Sequence, residues 1–192
     1  MSNGERAKPV EQRRRFLRSV SRAAVGLWLG GEVAASDRAP GQPERTLGLY
    51  HTHTHEALRA RYYTDGEYDR KGLAQINYIL RDHRTDEVKP IDHRLLDLLH
   101  ALSAELATEE SFHIISGYRS PATNRLLSSR SGEVASESLH VRGMAADIRL
   151  PNVPLASVRD RAAALQRGGV GVYPTSNFVH VDVGRVRHWS GT

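Results

Sequence analysis

The sequence predicts an α+β domain in which a small antiparallel sheet, lying in the second half of the chain, is flanked by helices. Three observations carry that expectation. "KGLAQINYILRDH" and "DHRLLDLLHALSAEL" repeat apolar residues at helical spacing. "FHIIS", "AADIRL", "GVGVYP" and "FVHVDVG" are short β-branched or alternating runs, most of them bounded by turn residues, and all lie after Ser111. The 192 residues, 39% of them hydrophobic, suffice for one core and a short appendage, and no internal repeat is visible.

The appendage is N-terminal. Residues 1–36 hold seven Lys/Arg against three Glu, so most of the net charge of +5 sits there and the remainder is close to neutral. A nucleic-acid surface requires basic charge within the folded domain itself, and this distribution argues against one. "RRRFLR" (Arg13–Arg18) precedes the apolar "AAVGLWLGG" (Ala23–Gly31) and the small residues of "EVAAS", the layout of an export signal. Paired arginines before Phe16 and Leu17 resemble the twin-arginine class. A disordered basic tail is the alternative. The apolar run is too short for a stable membrane span. Residues 37–44, in "SDRAPGQPE", read as a linker, which leaves 45–192 as the domain. With no cysteine, disulfides and thiolate metal sites are excluded.

"TLGLYHTHTHEALRARYY" alternates loosely and predicts two short strands or a hairpin. Its His51, His53 and His55 would share one face of a strand and invite an ion, but a solvated hairpin edge or turn is the expectation. The first helix buries Leu73, Ile76, Ile79 and Leu80; the second buries Leu95, Leu98, Leu99 and Leu102. Lys89-Pro90 separates them, and Asp92 is placed to cap the second. His83, His93 and His100 lie on or beside these helices as surface or packing residues. "FHIIS" (Phe112–Ser116) leads into the loop "GYRSPATN" and a polar helix around Asn124–Arg130. His113 is a candidate cleft residue, while Tyr118 and Trp189 are either core aromatics or cleft walls. "LASVRDRAAALQ" reads as a helix stopped by Gly168-Gly169, and "TSN" joins the last two strand-like runs.

The chemistry is concentrated in "SLHVRGMAADIRL" and "NFVHVDVG". The first holds His140 and Asp147; in the second, strand alternation puts Phe178, His180 and Asp182 on one face and Val179, Val181 and Val183 on the other. The valine face belongs to a core, so the His180/Asp182 face looks at solvent, a pocket or an ion. His140, Asp147 and His180 together offer two imidazoles and a carboxylate, a set that suits one zinc ion with a fourth position left open. Taken alone, a histidine and an aspartate at this spacing are common by chance.

"SGYRS", then Ser138, His140, Gly143, Ala145, Asp147 and Ile148, then "GGVGVYP" and "NFVHVDVGRVRHW" follow one another between Ser116 and Trp189. This series resembles the bacterial zinc murein peptidases of the D-Ala-D-Ala carboxypeptidase group, and among them the MepK-type exported murein endopeptidases. The resemblance extends back to about Arg45 and includes the twin-arginine signal. It implies a hedgehog/D-Ala-D-Ala peptidase-like fold with a single zinc site. It puts His140, Asp147 and His180 on the metal-ligand positions and Arg119 on the position that contacts the substrate peptide or stabilises the oxyanion. Ser138 could donate a hydrogen bond near the metal, and Gly169 and Gly171 would permit close approach beside the site.

One departure stands out. Many relatives carry an acidic general base three residues before the last histidine ligand, where this chain has Asn177. Asp182 and His188 remain as candidate acid/base residues, with Asp182 alternatively orienting the His180 ring. The implied activity is hydrolysis of peptide cross-links of peptidoglycan by an exported, monomeric enzyme of the periplasm or cell envelope acting on peptide stems. The alternatives are a D,D-carboxypeptidase trimming terminal D-Ala and a non-catalytic zinc-binding cell-wall module, which Asn177 keeps open.

Overall fold

The computed structural model describes residues 43–130 and 137–192. The expected export signal (1–36) and all but the end of the expected linker (37–44) lie outside the described residues. The domain opens with a hairpin, β1 (Arg45–His51) and β2 (Ala57–Thr64), and a two-residue strand β3 (Glu67–Tyr68). Helix α1 (Arg70–Ile79) begins at Asp69, whose carboxylate accepts the Gly72 N–H at 2.6 Å. Helix α2 (His93–Glu105) begins at Asp92, the cap foreseen from the sequence, which accepts the Arg94 N–H at 2.9 Å. There follow β4 (Phe112–Ser116), α3 (Pro121–Arg130), β5 (Ala145–Arg149), α4 (Leu155–Ala164), β6 (Gly169–Tyr173), β7 (Phe178–Asp182) and β8 (Arg187–Ser190).

The sheet corrects the sequence-based expectation. It is neither small nor purely antiparallel: eight strands run in the order β3-β2-β1-β4-β5-β7-β6-β8, with β1/β4 and β6/β8 parallel. The N-terminal hairpin joins the second half through three parallel pairs, Leu49–Phe112 to His51–Ile114. A parallel pairing between residues about sixty positions apart leaves no turn signature in the sequence. The fold class itself, mixed α+β, stands.

Alternation divides the sheet into two faces with different tasks. Leu47, Leu49, Phe112, Ile114, Ala146, Ile148, Val170, Val179 and Val181 are buried in one core with Ile76, Leu95, Leu99 and Val158 of the helices. Apart from Ala146, each such side chain stabilises the fold by about 1.5–3 kcal/mol through burial. The hairpin is tied to α2 by Asp97, which accepts from Arg45 (2.7 Å), Tyr62 (3.0 Å) and Tyr68 (2.7 Å). The other face carries Ser116, Asp147, Gly171, His180 and Asp182, so the core pattern that fixes strand register also fixes the polar row.

His51 departs from the exposed edge expected for "HTHTH". The hairpin turn is there, but His51 is fully buried at the end of β1, with Nδ1 accepting the backbone N–H groups of His53 (3.2 Å) and Thr54 (3.4 Å). His83, expected as a surface or packing residue, packs its ring 5.3 Å from that of His51 and stacks on His53 at 4.1 Å.

Candidate metal centre

Three elements converge on the polar face. His140 lies on a short 3-10 helix, Leu139–Arg142, whose first turn is capped by Ser138: the hydroxyl accepts the His140 N–H at 3.3 Å. The Ser138 oxygen thus serves the helix start as an acceptor, while its hydroxyl hydrogen stays available to donate. Gly143 ends that helix in a left-handed conformation (φ 68°) against the Pro90 carbonyl, a place suited to glycine. Asp147 and His180 are direct cross-strand partners on β5 and β7.

The ligand atoms meet at short range. His140 Nε2 lies 3.2 Å from His180 Nδ1 and 3.2 Å from Asp147 Oδ1, and His180 Nδ1 lies 2.9 Å from the same oxygen. Each group is fixed by its outer atom. His140 Nδ1 donates to the Gly117 carbonyl at 2.7 Å, which leaves Nε2 as a lone pair. His180 Nε2 donates to Asp182 Oδ2 at 3.1 Å, which leaves Nδ1 as a lone pair. Asp147 Oδ2 accepts from Arg119 Nη2 at 2.7 Å. Three electron-pair donors thus face one another with no hydrogen donated between them, an arrangement that a cation satisfies. Ligands at tetrahedral angles and roughly 2.0–2.1 Å from one ion stand about 3.3 Å apart, close to these separations. The residues present therefore fit a single metal ion, and they form a group able to hold one.

The carboxylates draw positive charge to this centre. Burial opposes charge on Asp147, yet His140 and His180 hold its carboxyl well below the usual carboxylate range, and Asp147 and Asp182 outweigh burial to raise the pKa of His180, so a proton and a metal cation compete for the His180 ring. Burial drives His140 toward its neutral, ligating form.

A family profile described as peptidoglycan L,D-endopeptidase MepK matches residues 39–189. The chain belongs to this family. Peptidoglycan L,D-endopeptidase MepK of Escherichia coli K12 is 38% identical over 176 residues, covering 92% of this chain and 96% of the relative. The probable peptidoglycan L,D-endopeptidase MepK of Haemophilus influenzae is 35% identical over 184 residues, 95% of this chain and 98% of the relative. No solved structure matches the chain.

Against the background of the MepK family, the remaining candidate residues separate clearly. Arg119 is brought to the site: Nε donates to Ser116 Oγ at 3.0 Å and Nη2 to Asp147. Its loop is pinned from below, where the buried Asp82 carboxylate accepts the Ser120 N–H at 2.8 Å and the Tyr118 N–H bonds the Leu80 carbonyl at 2.8 Å. Asp182 is also brought there, but with no exposure and with its oxygens occupied. Besides His180 it accepts the N–H groups of Gly169 (3.1 Å) and Gly184 (2.8 Å) and both Nη atoms of Arg187 (3.2 and 2.7 Å). Burial alone would raise its pKa; these donors hold it well below the usual carboxylate range.

His188 is not brought to the cluster. On β8 it is paired with Val170, whereas Trp189 pairs with Gly171, so alternation sends the exposed His188 to the opposite side of the sheet from His180. Asn177 sits in the β6–β7 turn with φ 53°, a left-handed position that asparagine tolerates, rather than on the strand face beside His180.

Sequence reasoning missed two parts of the site, the Gly117 carbonyl and the Arg187–Asp182 pair, and left Trp189, whose ring lies 5.3 Å from that of His180, open between core aromatic and cleft wall. A side chain at Gly171 would run into the Trp189 indole, and one at Gly169 into Asp182 and Arg187. The two glycines flagged in the sequence mark where these groups cross β6.

Proposed function

We propose that this chain is a zinc-dependent murein endopeptidase that hydrolyses L,D bonds in peptide cross-links of peptidoglycan, exported through the twin-arginine-type signal of residues 1–36 and working as a monomer. The observation that carries the reading is the convergence of His140 Nε2, Asp147 Oδ1 and His180 Nδ1 within 3.2 Å, each fixed from behind, in a chain 38% identical to a peptidoglycan L,D-endopeptidase. A zinc ion held by these three atoms supplies Lewis acidity toward a peptide carbonyl and a lowered pKa for water.

The chain's own residues do the rest. Arg119 has two roles built into one planar group. Nη2 and Nε are engaged by Asp147 and Ser116, which fixes the plane. Nη1 is thereby aimed as a ready donor for the oxygen on which negative charge develops. Asp182 acts as a positioning residue: with both oxygens saturated it orients His180 and keeps its Nε2 protonated, and the proton transfers of hydrolysis belong to another group. The Gly117 carbonyl does the same for His140. Trp189, held by its Nε1–H donating to Tyr173 at 2.9 Å, walls one side and limits water access to His180. No helix among the described residues is long and apolar enough to cross a membrane.

The test is incubation of the chain with defined cross-linked muropeptide dimers carrying 3-3 (L,D) or 4-3 (D,D) bonds, with products read by mass spectrometry. Conversion of the 3-3 dimer to monomers is the expected result. Loss of terminal D-Ala alone would favour a carboxypeptidase, and metal-dependent binding without cleavage a non-catalytic module.

A further inference from the structure

The metal-bearing face of the sheet continues beyond Asp147. Two residues on, Arg149 lies on the same face of β5, about 7 Å along the strand. It pairs with His113 of β4, which pairs in turn with Tyr50 of β1, and the β5–β7 register runs on past Ile148–Val179 toward Phe178. Tyr50 and His113 have ring centroids 4.8 Å apart, and Phe178 stacks on Tyr173 at 4.5 Å. A cationic guanidinium therefore interrupts a row of rings that crosses the sheet beside the metal-ligand row.

Arg149 differs from the other arginines of this face. Arg119 is tied to Asp147 and Arg187 to Asp182, whereas the guanidinium of Arg149 makes no hydrogen bond or ion pair with any described residue. It is half-buried and lines a cavity of about 640 Å³ with His113 and Asn177. Glu110, whose charge acts on the neighbouring His113, accepts from Asn152 Nδ2 at 2.7 Å. Burial, joined by the positive charge of Arg149, lowers the pKa of His113, so this neighbour stays neutral and does not compete for an anion.

We propose that Arg149 is a specificity-determining residue that receives a free carboxylate of the substrate peptide, within one or two residues of the scissile bond. The proposal rests on the reading of the site as a murein endopeptidase centre. A guanidinium presents two parallel N–H donors that match a carboxylate and lose that match when the acid is amidated. Its spacing from Asp147 corresponds to about two residues of extended peptide. Val153, Pro154 and Leu155 of the same cavity supply apolar surface for the aliphatic part of the same residue. None of the residues lining the cavity is acidic, so no negative charge in the lining repels such a ligand.

The experiment compares the full chain with Arg149→Gln and Arg149→Lys on two 3-3 cross-linked dimers, one with free and one with amidated diamino-acid carboxylates. Thermal melts establish that each variant is folded. Arg149→Gln is expected to lower kcat/KM on the free-acid dimer about 10- to 100-fold, mainly through KM, with little change on the amidated dimer. Arg149→Lys should fall between. In parallel, calorimetry on chelator-treated protein measures binding of the free-acid tripeptide product, which Arg149→Gln and amidation should each weaken by a similar factor. Equal activity of Arg149→Gln and the parent on the free-acid dimer, or equal losses on both dimers, would overturn the subsite. If the parent cleaves neither dimer while Arg149-dependent binding of the free acid persists, the endopeptidase reading fails and the carboxylate subsite stands.

Discussion

Asp182 Oδ2 lies 3.1 Å from His180 Nε2, two residues away on the same face of β7, and this contact turns the imidazole so that Nδ1 faces Asp147 and His140. The carboxylate is fully buried and is held from its other sides by Arg187, Gly169 and Gly184. It behaves as part of the frame.

Asp182→Asn tests that role. The variant is expected to bind zinc about 10- to 100-fold more weakly, measured by competition with a chromogenic chelator, and to recover much of its activity at saturating zinc. A variant with unchanged zinc affinity and no turnover would instead identify Asp182 as the proton-transferring group.

Arg119 separates differently. Arg119→Ala removes the donor to Asp147 Oδ2 and also the free Nη1. Zinc affinity should drop about 10- to 100-fold. At saturating zinc kcat should still be down by about 10²–10³, as expected for a lost oxyanion donor. Full recovery of kcat with excess zinc would reduce Arg119 to a prop for Asp147.

Gly171→Ala puts a methyl group into the Trp189 indole. Overpacking of this kind costs about 1–3 kcal/mol, readable by denaturant unfolding. In a Trp189→Ala background the same substitution should be nearly neutral, because the two residues are in contact and their effects couple. Additive effects would show that the indole does not lie over Gly171.

His51 predicts a pH dependence. Burial foremost, then repulsion from His53 and Arg81, lowers its pKa from an ordinary 6.5 to about 4. Above pH 6.5 the ring is neutral in both folded and unfolded chains and contributes no pH dependence. As pH falls from 6.5 toward 4 the unfolded chain takes up the proton first, so stability declines across that window and levels off below it. His51→Asn keeps an acceptor for the His53 and Thr54 N–H groups but cannot titrate. The difference in unfolding free energy between parent and variant should change between pH 7 and pH 4.5; a constant difference would contradict the assignment.

Much of this was legible in the sequence, for physical reasons that can be named. The valines of β7 and the leucines of α2 announce their elements because burial imposes a period on them, and the same period placed His180 and Asp182 together. His188 is harder to place from sequence: β8 is four residues long with no apolar alternation of its own, so nothing local separates His188 from Trp189 by face. The parallel β1–β4 join and the burial of His51 depend on contacts between distant segments, which leave no local pattern. The outer bonds of the ligands come partly from backbone, such as the Gly117 carbonyl, and a backbone carbonyl carries no residue signature.

The most direct test of the account follows a 3-3 cross-linked muropeptide dimer by mass spectrometry with the chain as purified, after chelation, after zinc is restored, and with His180→Ala. The account predicts conversion to monomers that chelation stops and zinc restores, with the variant inactive throughout. Cleavage that survives chelation and His180→Ala, or none on any cross-linked dimer by zinc-loaded protein, would contradict it.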